Sequence, residues 1–121
     1  MSSSKPMIYN NTVTFNTGDG IRCGVNTEKP IIRKCKIEQN IGYGITCNSS
    51  SPIIDSCIIN NNSAHQIRCY NNASPRIHMN DILSNSLYYG VYNESEFFEI
   101  EVDSNYWGHS SGPYHPVLNP T

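Results

Sequence analysis

At 121 residues and a formal net charge of −2, the chain has the length of one domain and no broad excess of Lys and Arg to attract nucleic acid or an anionic membrane. With 37% hydrophobic and 15% charged residues it is too apolar for disorder, while its scarcity of Ala, Leu and Glu argues against a helical protein. The apolar runs are short and Met1-Ser2-Ser3-Ser4-Lys5 lacks an apolar signal core, so no membrane insertion is expected.

The first element opens at Pro6 with the octet PMIYNNTV, and the same spacing returns at Pro30, Pro52 and Pro75 as PIIRKCKI, PIIDSCII and PRIHMNDI. The shared form is Pro-x-Ile-x-x-Asn/Cys-x-Ile/Val, at a period of 22 to 24 residues. Two positions after the proline stand Ile8, Ile32, Ile54 and Ile77; seven after it stand Val13, Ile37, Ile59 and Ile82. Branched aliphatics at alternate positions, bounded by Gly, Asn and Ser, predict two strands of three to five residues in each repeat.

Five positions after the proline the column reads Asn11, Cys35, Cys57 and Asn80, and ten after it Asn16, Asn40, Asn62 and Asn85. Asparagine suits this place because it tolerates left-handed turns and its amide can bond to copies above and below. A third strand follows, in which Gly20-Ile21-Arg22-Cys23 aligns with Gly44-Ile45-Thr46-Cys47, Gln66-Ile67-Arg68-Cys69 and Gly90-Val91-Tyr92-Asn93.

Such a repeat cannot bury its apolar face alone. Coiled and stacked at about 4.8 Å per layer, it lines each column up in a continuous core. The expected domain is therefore 1–121, with coils starting near 6, 30, 52 and 75 and a partial coil near 98, where Phe98 takes the proline place. Residues 103–121 form a C-terminal cap and tail, with Tyr106 and Trp107 over the open end of the core.

These columns, together with Asn105-Tyr106-Trp107-Gly108 and Ser111-Gly112-Pro113, resemble the right-handed parallel β-helix repeat proteins of the pectate-lyase-like superfamily. The resemblance runs from Pro6 through nearly the whole chain. It implies an all-β, single-stranded, right-handed parallel β-helix of about four to five coils, with three short strands per coil. The ending is similar to that of secreted bacterial and archaeal members, which implies an extracellular or cell-surface location.

Polysaccharide-active members of the superfamily carry stacked aspartates with a nearby arginine, paired aspartates with Gly-His-Gly and Arg-x-Lys, or Asp-Pro-His-Glu. None of these motifs occurs here, and Ala64-His65-Gln66 is the nearest approach to the last. The expectation therefore leans away from an enzyme and names no catalytic residue and no cofactor.

Cys23, Cys47 and Cys69 share one inward column and Cys35 and Cys57 another, which predicts buried thiols. No CxxC or HxxxH spacing marks a zinc site, and Asp19, Asp55, Asp81 and Asp103 are expected in different columns, so no metal is expected. His109 and His115 fall in the Pro- and Gly-rich tail.

Outward residues suggest two patches. Tyr9, Arg33, Asp55 and His78, continued by Glu101, read as a surface charge ladder. Arg22, Arg68 and Tyr92 on the third strand, with Tyr43, His65, Tyr88 and Tyr89 in the preceding turn, combine aromatic and basic groups suited to sugar binding.

Three readings of function follow. The first is a non-catalytic β-helix scaffold or carbohydrate-binding module of an extracellular or cell-surface protein, the binding module taking polysaccharide as partner. The second is self-association through an uncapped first coil, whose unpaired strand edges invite a second copy. The third is a fragment of a polysaccharide lyase, hydrolase or epimerase whose catalytic coils lie elsewhere.

Overall fold

Each repeat folds as three short strands separated by sharp corners, and the corners are where the sequence departs from β conformation. In the computed structural model, which describes residues 6–25, 29–83, 87–95 and 99–107, the first repeat holds β1 (Met7–Tyr9), β2 (Thr12–Thr14) and β3 (Ile21–Cys23). The next three hold β4 (Ile31–Arg33), β5 (Lys36–Glu38) and β6 (Ile45–Asn48); β7 (Ile53–Asp55), β8 (Ile58–Asn60) and β9 (Ile67–Tyr70); and β10 (Arg76–His78), β11 (Asp81–Leu83) and β12 (Val91–Asn93). A thirteenth strand, β13 (Glu101–Asp103), begins a fifth turn.

All pairing is parallel and between successive repeats, giving three sheets in the orders β1-β4-β7-β10-β13, β2-β5-β8-β11 and β3-β6-β9-β12. The protein is an all-β solenoid of about four turns with three strands per turn. Like lies on like: Ile8, Ile32, Ile54, Ile77 and Val102 form one file, and Val13, Ile37, Ile59 and Ile82 another. Ile32, Ile37, Ile54, Ile59 and Ile77 are fully buried, and burying each stabilises the fold by about 1.5–3 kcal/mol.

Among the described residues, a single residue at positive φ turns the chain at each of the first two corners of a repeat. Between the first two strands it is Asn10 (58°), Lys34 (54°), Ser56 (56°), Met79 (57°) and Ser104 (54°); after the second strand it is Phe15 (59°), Gln39 (58°) and Asn61 (53°). The left-handed residue is thus the one before the Asn/Cys and Asn columns. The left-handed turn expected at the Asn16, Asn40 and Asn62 column thus falls one residue earlier, and those asparagine side chains are committed to hydrogen bonds along the ladder.

Asn16 Nδ2 donates to Asn40 Oδ1 and Asn40 Nδ2 to Asn62 Oδ1, both at 2.9 Å. The three asparagines therefore form a ladder along the axis; Asn85 lies outside the described residues. Asn62 Nδ2 passes the ladder on to Gln66 Oε1 at 2.8 Å. In the column where Gln66 stands, Gly20 and Gly44 leave no room: a Cβ on Gly44 would sit 2.5 Å from the Gln66 carbonyl oxygen and 2.8 Å from Asn62 Nδ2.

The fifth turn enters two residues later than the sequence suggested. Arg76 pairs with Glu101 and His78 with Asp103, so Ile100, not Phe98, stands in line with the prolines. A slip of two leaves the in/out alternation unchanged, so alternation could not distinguish the registers. The corner decides: Asn105 enters the file of Asn80 and accepts its backbone N–H at 2.9 Å, while Val102 joins the isoleucines. Phe98 itself lies outside the described residues.

At that end Trp107 is buried in the core cluster, with ring atoms about 3 Å from where a Cβ on Gly90 would be. Tyr106, expected beside it as a cover, is exposed; its backbone bridges to Asp81 and its carbonyl accepts Ile82 N–H at 2.8 Å. Adjacent strand residues face opposite ways, so only one of the pair can turn inward. Gly108, Ser111, Gly112, Pro113, His109 and His115 lie outside the described residues.

Candidate functional site: an aromatic and basic strip on the third sheet

The third sheet presents two outward files side by side. One, in the turn just before the strands, runs Asp19, Tyr43, His65, Tyr89; the other, on the strands, runs Arg22, Thr46, Arg68, Tyr92. Parallel in-register pairing places each side chain one layer from its neighbour, close enough for rings to stack.

They do stack. The ring centroid of His65 lies 5.8 Å from Tyr43, 5.0 Å from Tyr89 and 4.6 Å from Tyr92, with planes inclined by 26°, 18° and 28°. Tyr89 and Tyr92 stack at 5.3 Å, and Tyr88 meets His65 edge-on at 5.7 Å. Ring faces within the stack are turned on one another, so these residues offer mainly their edges to solvent.

Arg68 runs beneath this group. Its guanidinium lies 5.1 Å from the ring centroid of Tyr43 and 4.1 Å from that of Tyr70, and its Nε donates to Glu94 Oε2 at 2.6 Å. That bond raises the Arg68 pKa further, so the charge is fixed. Five of the seven residues picked from sequence as aromatic and basic ligands, Tyr43, His65, Tyr88, Tyr89 and Tyr92, form one cluster, and Arg68 joins it through Tyr43.

Arg22 stands apart. Its Nη2 lies 3.0 Å from Asp19 Oδ2, one layer before Tyr43 and separated from Arg68 by the buried Thr46. Asp19 also accepts the Tyr43 N–H at 2.9 Å and the Thr46 hydroxyl at 2.8 Å. Burial would raise the Asp19 pKa, but these donors and Arg22 outweigh it and hold the carboxyl below its ordinary value.

His65 is held neutral. Burial lowers its pKa and Arg68 adds to the effect, against an opposing pull from Glu94. Its Nδ1 accepts the backbone N–H of Tyr89 at 2.8 Å, which places the proton on Nε2.

Asp19, Glu94 and Tyr70 were missed by the sequence reading. Asp19 could have been found from its place before Gly20, in the column of Tyr43, His65 and Tyr89. Glu94 and Tyr70 belong to neighbouring layers and different columns, and only side-chain reach joins both to Arg68.

The first sheet carries the second outward patch. Arg33 Nε and Nη2 both lie 2.9 Å from Asp55 Oδ2, and His78 Nε2 lies 3.6 Å from the same oxygen, so the expected charge ladder is present. Its last member is Asp103 and not Glu101, which instead meets Arg76 at 3.4 Å. The same shift puts Asp55 and Asp103 in one column, contrary to the separate columns expected, with His78 between them. Burial raises the Asp55 pKa, but Ser56 and Arg33 dominate and lower it. Beside this ladder, Lys29, Ser51, Ser74, Arg76 and Glu101 line a shallow groove of about 260 Å³.

All five cysteines are free thiols buried in the core, in the two files expected. Burial raises Cys23 and Cys57 to about 11. Among the described residues no three His, Cys, Asp or Glu side chains converge as a metal ion would require.

No curated protein and no solved structure matches the chain. The family model described as the right handed beta helix region matches residues 1–106, which takes in every strand described above. By that match and by its three stacked parallel sheets, the chain belongs to the right-handed β-helix family.

Proposed function

We propose that this chain is a non-catalytic β-helix scaffold presenting a carbohydrate-binding face, working in an extracellular or cell-surface protein. The observation that carries this reading is the continuous strip of Tyr43, His65, Tyr89 and Tyr92 along one parallel face, backed by Arg68. Phenol and imidazole edges arrayed at one-layer intervals supply donors and acceptors to hydroxyls together with apolar ring carbon. One layer is close to the length of one sugar residue in an extended polysaccharide. Because the rings brace each other, binding freezes few additional rotamers.

Affinity electrophoresis through gels containing soluble polysaccharides tests the reading. Tyr43→Ala and Tyr88→Ala are each expected to weaken retardation by about tenfold, or ~1.4 kcal/mol. Retardation unaffected by either change, or robust turnover of uronate polysaccharides by the chain, overturns it.

A second reading, self-association through the first turn, is favoured by one observation. Ile8 and Val13 occupy core files yet remain half-buried, while their counterparts Ile32 and Ile37 are fully buried. A second copy meeting this edge would cover them and pair β1, β2 and β3, which among the described residues end their sheets. Light scattering over a concentration series is expected to show a dimer that Val13→Lys disrupts; a monomer at every concentration overturns this reading.

A further inference from the structure

We infer that the glycan this strip accepts is neutral and hydroxyl-rich, and that acidic polysaccharides are excluded; the inference rests on the carbohydrate reading above. The ground is the charge state of the strip. Each of its two cations is already matched within the fold: Arg22 by Asp19 at 3.0 Å and Arg68 by Glu94 at 2.6 Å. Of the two carboxylates, Asp19 is the more firmly held.

Asp19 is fixed by the Tyr43 N–H and the Thr46 hydroxyl as well as by Arg22, and its side chain is only 8% exposed. Glu94 meets an Arg68 that is itself wedged between the rings of Tyr43 and Tyr70. The third basic group, His65, carries no charge while the Tyr89 N–H occupies its Nδ1.

An incoming uronate carboxylate would thus find no uncompensated positive charge, and it would meet Glu94 as a like charge. The whole chain, at −2, adds no attraction. A sugar hydroxyl fits what remains. It both donates and accepts, as do the phenol groups of Tyr43, Tyr89 and Tyr92, and His65 Nε2–H adds a donor. A carboxylate can only accept, which leaves half of that capacity unused.

The experiment is affinity electrophoresis of the full chain through gels containing a neutral β-glucan, xylan or mannan, or else polygalacturonate or alginate, at low and raised salt. Retardation by at least one neutral polymer, insensitive to salt, with none by the acidic polymers, is expected. Glu94→Gln, which leaves Arg68 uncompensated, should then gain about tenfold or more in affinity for polygalacturonate at low salt and lose that gain at high salt.

Wild-type retardation by acidic polymers in preference to neutral ones overturns this inference and leaves the carbohydrate reading standing. A Glu94→Gln protein that is folded by circular dichroism but gains nothing for polygalacturonate also overturns it. Retardation by no polymer at all overturns the carbohydrate reading, and this inference with it.

Discussion

Asn80 secures Cys57 across one layer of the solenoid: its Oδ1 accepts the Cys57 backbone N–H at 2.8 Å while its Nδ2 donates to the Ile54 carbonyl at 2.9 Å. The relationship explains a column that looks chemically mixed in the sequence. Cys35 Sγ reaches the Ile8 carbonyl at 3.4 Å, Cys57 Sγ the Ile32 carbonyl at 3.5 Å, and Asn105 Nδ2 the Ile77 carbonyl at 2.9 Å. Thiol and amide share one task at this corner, donating to the core isoleucine of the layer before. Only the amide also accepts a backbone N–H from that layer.

Removing the amide should therefore cost more than converting it to a thiol. Asn80→Ala leaves the buried Cys57 N–H without its acceptor and loses the bond to Ile54, and should lower stability by about 2–4 kcal/mol in urea unfolding. Asn80→Cys retains a donor and should lose less. Equal losses would contradict the shared role of the column.

At the same corner the left-handed residue is Met79, with φ of 57° and an exposed side chain. A side chain with a Cβ is strained there and glycine is not. Met79→Gly should raise stability by about 0.5–1 kcal/mol, read as a higher thermal midpoint. A lower midpoint would mean that Met79 contributes packing that its exposure conceals.

Glycines separate into two classes. Gly44→Ala pushes a methyl against the Gln66 carbonyl, Asn62 Nδ2 and Ile59, two of them in the rigid ladder and core, and should cost about 3 kcal/mol. Gly24→Ala meets nothing within 4 Å and should leave the unfolding midpoint nearly unchanged. Equal sensitivity at both positions would sink the close-approach argument.

Acid should weaken the protein in two stages. The His65 pKa lies below its ordinary 6.5, so the fold favours the neutral ring; its contribution is complete above pH 6.5 and is lost as pH falls from there through the folded value. Asp19 and Asp55 lie below 3.8, so their contributions are complete above that pH and are lost on further acidification. Denaturant midpoints measured against pH should show both stages, and His65→Gln should remove the first.

The thiols should resist modification. Cys23 and Cys57 are raised to about 11, so little of their thiolate exists at neutral pH, and all five cysteines are buried away from a reagent. A chromogenic disulfide reagent should react slowly with the native protein and with all five thiols after denaturation. Rapid native reaction at any one of them would place that cysteine outside the core.

What the sequence by itself determined was the layer: a period near 23, the isoleucine files, the cysteines inside, and Tyr43, His65, Tyr88 and Tyr89 outside in the turn before the third strand. These follow from a local rule, strand alternation repeated at a constant spacing, so aligned letters become stacked side chains. What only the tertiary structure decided depends on reach between layers. Arg68 finds Glu94 and Tyr70, Asp19 gathers Arg22, Tyr43 and Thr46, and Asn105 chooses the register of the last turn over one shifted by two residues. Alternation has a period of two and cannot separate those registers, and it carries no information about which long side chain leans toward which neighbour. Those choices are made by hydrogen bonds and ion pairs that exist only once the layers are stacked.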